Sequence, residues 1–105
     1  FSGERPTALI AMNDLTAIGA IRAANERGIR VPEDLSVIGI DNIPLGEYLP
    51  HRLTTIAQPL EELAHATAEL MLQRLDKKAE STPPQSRKFK AKLLIKETTA
   101  ESPRV

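Results

Sequence analysis

"TALIAMNDLTAIGAIRAANERGIRVPEDLSVIGIDN", residues 7–42, decides the fold. Ala8 to Met12 form an unbroken apolar run between Pro6 and Asn13, as in a strand buried on both faces of a parallel sheet. Leu15, Ile18, Ile21 and Ala24 then recur at three-residue spacing, so 15–27 reads as a helix. Asn13 or Asp14 can cap its first turn, and Gly28 can serve as the residue just past its end. Ala17, Ala20 and Ala23 make its other faces small and apolar, which suits a helix covered on more than one side. Pro32 and Asp34 mark a turn, and 35–40 read as a second buried strand. Strand, helix and strand in about 33 residues is the size of one right-handed βαβ unit.

Working outward, "DNIPLGEYLPHR" at 41–52 is a loop rich in turn formers, and "LTTIAQ" at 53–58 reads as a short strand. Residues 59–78 are the clearest helix. Pro59 suits its first position, and Glu61 and Glu62 suit the positive end of its dipole. Leu60, Leu63, Thr67, Leu70, Met71 and Leu75 line one broad face. Residues 79–87 are a polar loop, and a closing strand lies near 89–96. The fold class is α/β, a parallel sheet with flanking helices.

Composition narrows the function. The 105 residues carry 14 Lys+Arg against 14 Asp+Glu, so this stretch lacks the basic surface that nucleic-acid binding needs. There is no cysteine, hence no disulfide framework or thiolate metal site, and the two histidines stand far apart. No apolar run approaches the roughly 20 residues needed to span a bilayer. The abrupt opening on "FSGERPTALI" reads as a cut inside a longer protein.

In open parallel sheets, ligands bind outside the carboxyl ends of the strands. Asn13 and Asp14 follow the first strand, Asp41 and Asn42 the second, and Gln58 the third. If the first two strands are neighbours, Asn13 and Asp41 stand side by side. An amide, a carboxylate and an amide can hydrogen-bond neutral hydroxyls, so a sugar or nucleoside is the natural match. The plainer alternative is that Asn13 and Asp14 only cap a helix, Asp41 only forms a turn, and Gln58 only precedes a helix. His51 and His65 have no nucleophile at a recognisable spacing. Asp14 and Asp41 as an acid–base pair are a weak signal. "GIDNIPLG" is not a dinucleotide fingerprint, and "RKFKAK" at 87–92 reads as a solvated edge strand. No metal or cofactor is expected.

The motifs "AMND" before a helix, "GIRVPEDLSVIGIDN", "LTTIAQP" and a closing "KETT" occur in that order. Together they resemble the C-terminal part of bacterial transcriptional regulators of the lactose/galactose repressor (LacI/GalR) family, over nearly the whole chain. The resemblance implies a fragment of a periplasmic-binding-protein-like fold. Residues 1–58 would be the βαβ unit and crossover strand of the C-terminal lobe. Residues 59–105 would be a helix and closing strand that pack on or cross to the other lobe. It implies a cytoplasmic, non-enzymatic sensor without its helix-turn-helix headpiece, so operator DNA would be bound only through that headpiece. Positions matching Asn13, Asp41 and Gln58 commonly contact a sugar or purine effector in that family; Asp14 is then structural, capping the helix. A periplasmic sugar-binding protein of a transporter is the alternative. Sugar sites usually stack aromatic rings, and none of Phe1, Tyr48 and Phe89 stands beside Asp41. The loop at 43–50 lies at the dimer interface in such regulators. With the spare face of the first helix it gives an expected homodimer surface of Leu15, Ile18, Arg22, Ile43, Leu45, Tyr48 and Leu49. The apolar face of the long helix is expected to be buried between chains.

Overall fold

The computed structural model describes residues 4–76 and 83–103. Phe1 and residues 77–82, on which the expected helix end and part of the expected polar loop fall, lie outside the described residues. In chain order the elements are β1 (Ala8–Ile10), α1 (Asp14–Glu26), β2 (Ser36–Ile40), a 3-10 turn (Pro44–Tyr48), β3 (Thr54–Ala57), α2 (Leu60–Leu75) and β4 (Lys92–Leu94). They fall into two compact units. One runs to Ala57 and resumes at Lys92; the other is Gln58–Ala91. The closing strand thus belongs with the sheet, whereas the sequence division at 58/59 groups it with the long helix.

The first unit is a four-stranded sheet in the order β1-β2-β3-β4. β1, β2 and β3 are parallel, with Ile10 paired to Ile38 and Ile40 to Ile56. β4 is antiparallel to β3, Ile56 facing Leu93, so the parallel sheet ends in an antiparallel edge. α1 is the crossover from β1 to β2. The Asn13 side-chain oxygen accepts from the Thr16 amide at 2.8 Å, so Asn13 is the cap, not Asp14. At the other end, Gly28 takes φ 73, its amide bonds the Asn25 carbonyl, and the Ile29 amide bonds the Ala24 carbonyl. That pair of bonds is a Schellman closure, which needs the left-handed residue glycine supplies.

α1 buries most of the face its apolar spacing suggests, but not its start. Asp14, Ala17 and Ala24 are buried and Ile18 and Ile21 pack half-buried against the core, while Leu15 stays 64% exposed. At the helix start a carboxylate, not a leucine, is drawn into the contact with the sheet. Alanines at 17 and 24 let the helix lie close. Leu35, Val37 and Leu53 fill the layer beneath it, each fully buried. Burial of each contributes roughly 1.5–3 kcal/mol.

The other face of the sheet differs from the sequence expectation. The apolar run of β1 reads as buried on both sides, yet Ile10 is 70% exposed. Ile38, Ile40 and Ile56 on the same face are half-buried, and Leu93 is half-exposed. α1 covers one face only, so alternate residues of every strand lose contact with water to different extents.

The segment after β4 ties the amino ends of β2 and β3 together. Thr98 is fully buried; its hydroxyl accepts from the Thr54 amide at 2.9 Å and donates to the Val37 carbonyl at 2.7 Å. In the second unit, Pro59 occupies the cap position of α2 rather than its first turn. Leu63 and Leu70 are half-buried, but Leu60, Met71 and Leu75 are exposed, so the stripe is largely uncovered in the single chain. His65 pairs with Glu69 at 3.0 Å, and Arg87 also bonds Glu69 at 2.7 Å.

Gly39 shows how tightly α1 sits. A Cβ there would lie 2.2 Å from Asp14 Oδ1 and 3.1 Å from Asp14 Cα. Gly39→Ala must push the helix start off the sheet, and overpacking of this kind costs about 1–3 kcal/mol. Denaturant unfolding should report that loss; a Gly39→Ala variant as stable as the parent would show that the helix start is free to move.

Candidate ligand-binding site

β1 and β2 are neighbours, so their carboxyl ends form one rim. The strands pair up to Ile10–Ile38, so Asn13 and Asp41 each lie just past the carboxyl end of one of two adjacent strands. Asn13 is half-buried, and its carbonyl oxygen is already engaged as the helix cap. Its NH₂ group remains the donor that it can offer a ligand. The plain and the functional readings of Asn13 are therefore compatible.

Asp41 is exposed, and its amide bonds the Ile56 carbonyl at 2.9 Å, one step beyond the last residue of β2. Its φ is 112, and that of Asn42 is 54. Two successive non-glycine residues at positive φ are rare, and each costs on the order of 1–3 kcal/mol unless the surroundings enforce it. Asp and Asn tolerate this region best among residues with a Cβ. The strand therefore ends in a strained turn whose first residue is the carboxylate at the rim. Gln58 directly follows Ala57, the last residue of β3, and is the first residue of the second unit; its carbonyl accepts from the Leu60 amide at 2.8 Å.

Behind the rim lies Asp14, 1% exposed. Its Oδ1 accepts from the Thr55 hydroxyl at 2.6 Å and its Oδ2 from the Ile43 amide at 2.8 Å. A buried carboxylate with both oxygens engaged is a strut. Asp14 and Asp41 thus differ in kind, and the arrangement gives no acid–base pair.

Sequence reasoning misses Lys96. Its ammonium bonds the Asn42 side-chain oxygen at 3.3 Å and the Glu47 carboxylate, and its side chain is mostly buried. Arg52 approaches Glu47 at 3.8 Å and bonds Glu97 at 3.1 Å. The hydrogen bond from Lys96 holds the Glu47 carboxyl below the usual range, aided by the charges of Lys96 and Arg52. Lys96 thus joins the rim, through Asn42, to the 3-10 turn that carries Glu47 and Tyr48. The only sequence signal is a lysine closing the apolar run "LLI".

Of the residues expected at a dimer surface, Leu15, Arg22, Leu45 and Tyr48 are exposed, Tyr48 to 83%. Ile18 and Leu49 are instead half-buried against the core, because α1 is rotated toward the sheet and the 3-10 turn folds under it. Ile43 is half-buried, its amide held by Asp14. A cavity of about 310 Å³, whose lining includes Asn25, Arg30 and His51, opens at the amino ends of β2 and β3, away from the rim. Among the described residues no cluster of His, Cys, Asp and Glu could hold a metal ion, and no helix is long and apolar enough to cross a membrane.

Comparison with known proteins follows the same line. A family model described as a periplasmic binding protein-like domain matches residues 1–99. The chain is 42% identical over 100 residues to the HTH-type transcriptional repressor PurR of Yersinia enterocolitica, covering 95% of this chain and 29% of that protein. The structure superposes on a LacI family transcriptional regulator from Enterococcus faecium with bound ribose, with a TM-score of 0.77 and 36% identity, over 92% of this chain and 35% of that one. It also matches a LacI family regulator from Arthrobacter sp. FB24 in complex with lactose, with a TM-score of 0.72 and 39% identity, over 90% and 35% of the two chains. The chain therefore spans less than a third of the length of the curated relatives it matches. These relatives are regulators, not enzymes or transport receptors, and the resemblance and fold class read from the sequence are borne out.

The Lys96 contact yields a measurable shift. In Lys96→Ala the Glu47 carboxyl loses its principal stabilising bond, so its pKa should rise toward the ordinary glutamate value. Carboxyl-carbon NMR titration would follow it. An unmoved Glu47 would show that Arg52 alone sets its ionisation.

Proposed function

Since the chain belongs to the periplasmic binding protein-like domain family, with LacI/GalR-type regulators as its relatives, we propose that it is the effector-sensing part of a bacterial transcriptional regulator. The effector is a sugar or a related polyhydroxylated molecule. The observation that carries this is Asp41: a carboxylate in a strained left-handed turn, at the carboxyl end of a central strand, whose neighbouring strand is followed by the amide of Asn13. Such a rim suits neutral hydroxyls, which both donate and accept. Two relatives hold ribose and lactose, ligands of that chemistry.

In this reading Asp41 accepts from ligand hydroxyls, Asn13 donates through its amide, and Gln58 adds a second amide. Operator DNA is contacted by a headpiece outside this chain, in the cytoplasm. The effector acts by shifting the populations of two states of the parent protein, as differential affinity requires. The parent is a homodimer. Leu15, Leu45 and Tyr48 are exposed apolar residues, with Arg22 beside them, and self-complementary patches of this kind close with twofold symmetry.

A charge-assisted hydrogen bond contributes roughly 1.5–3 kcal/mol. Asp41→Ala in the full-length protein should therefore weaken binding of ribose or lactose, whichever the parent binds more tightly, about tenfold or more. Asn13→Ser, which keeps a capping oxygen, and Gln58→Ala should give smaller losses. Calorimetric titration decides; unchanged affinity in Asp41→Ala removes it from the site.

Association has its own test. Tyr48→Glu places a charge in the exposed patch without touching the core, and sedimentation should show a shift toward monomer. No shift would place the interface elsewhere.

A further inference from the structure

Asp41 and Asn42 occupy left-handed conformations that no isolated Asp–Asn pair would hold, and the structure shows what holds them. The Asn42 amide donates to Thr55 Oγ1 at 3.2 Å. The Thr55 hydroxyl donates to Asp14 Oδ1 at 2.6 Å, and the Ile43 amide donates to Asp14 Oδ2 at 2.8 Å. These bonds make a closed relay. The carboxylate can only accept, so it fixes the direction of the hydroxyl, which leaves the hydroxyl's lone pairs for Asn42. Asp14 and Thr55 are both fully buried, and Gly39 keeps clear the space that Asp14 needs. The relay grips two consecutive amides just after Asp41.

We propose that Asp14 and Thr55 are positioning residues of the effector site, which touch no ligand but set the Asp41–Asn42 turn before a sugar arrives. This rests on the sugar-sensing reading of the rim. A turn already in its bound shape spares the ligand the entropy of ordering it, so the relay raises affinity without adding a contact. Asp14, which looks like a helix cap in the sequence, is then part of the sensor's machinery, acting from behind the site.

Thr55→Val and Thr55→Ser in the full-length protein make the test. Valine keeps the shape and removes the hydroxyl; serine keeps the hydroxyl and removes a methyl. In Thr55→Val the amides of Asn42 and Ile43 should lose protection from hydrogen exchange, while the buried Val37 amide stays protected and reports an intact sheet. Affinity for ribose or lactose, whichever the parent binds more tightly, should fall about tenfold when measured well below the melting temperature, the equivalent of one lost hydrogen bond. Thr55→Ser should restore both readouts, which a simple packing role would not require. If Thr55→Val fails to fold, Thr55→Ala serves instead: it also removes the hydroxyl, so the Asn42 amide loses its acceptor. A valine or alanine variant that melts lower but keeps both amides protected and the affinity unchanged would overturn the proposal. If neither sugar binds even the parent, the sugar reading falls, and exchange at Asn42 and Ile43 still decides whether the relay sets the turn.

Discussion

A single buried carboxylate organises the first unit. Asp14 opens α1, accepts from Thr55 on β3 and from Ile43 beyond β2, and so joins elements that backbone pairing alone leaves separate. Burying a charge is tolerable only when it is fully hydrogen-bonded, and both Asp14 oxygens are engaged. Removing either partner would leave a buried oxygen unsatisfied, at about 1–3 kcal/mol or more. The position of α1 follows from this. The helix must bring its first residue against Gly39, so it contacts the sheet through alanines and leaves Leu15 in water.

The opposite rim is held by hydroxyls, beside the exposed Arg52–Glu97 ion pair. Thr98 satisfies the Thr54 amide and the Val37 carbonyl, and the Ser36 hydroxyl donates to the Ala100 carbonyl at 3.1 Å. The chain beyond β4 thus does at the amino ends of the strands what Asp14 does at the carboxyl ends. Lys96, at the start of that segment, reaches back to Asn42 and Glu47. One short stretch near the end of the chain therefore steadies both rims of the sheet.

Much of the architecture is legible in the sequence because it is local. The βαβ unit, the glycine closure after α1 and the positions of Asn13 and Asp41 at strand ends follow from periodicity and turn chemistry within a few residues. What is not legible is long-range. That Asn13, not Asp14, caps the helix depends on a threonine more than forty positions away competing for Asp14. Apolar spacing puts Leu15, not Asp14, at the buried start of the helix because an aspartate counts against burial until its partners are known. The exposure of Ile10 is invisible for a related reason: an apolar run shows that a strand has two oily faces, not how many are covered. Lys96 carries no motif, and its role is set by which residues the fold brings beside it.

The two rim residues also do backbone work, and that shortens their alphabets. Asn13 must offer a side-chain oxygen to the Thr16 amide, which admits little beyond Asn, Asp, Ser and Thr. Asp41, at φ 112, admits little beyond Asp, Asn and Gly. Neither position can drift to an aromatic or a long cation without first dismantling a helix start or a strand end. Each position therefore has few spellings: a capping side chain at 13, and Asp, Asn or Gly at 41. Wider variation along this rim must fall on neighbouring positions, where side chains are free of such duties.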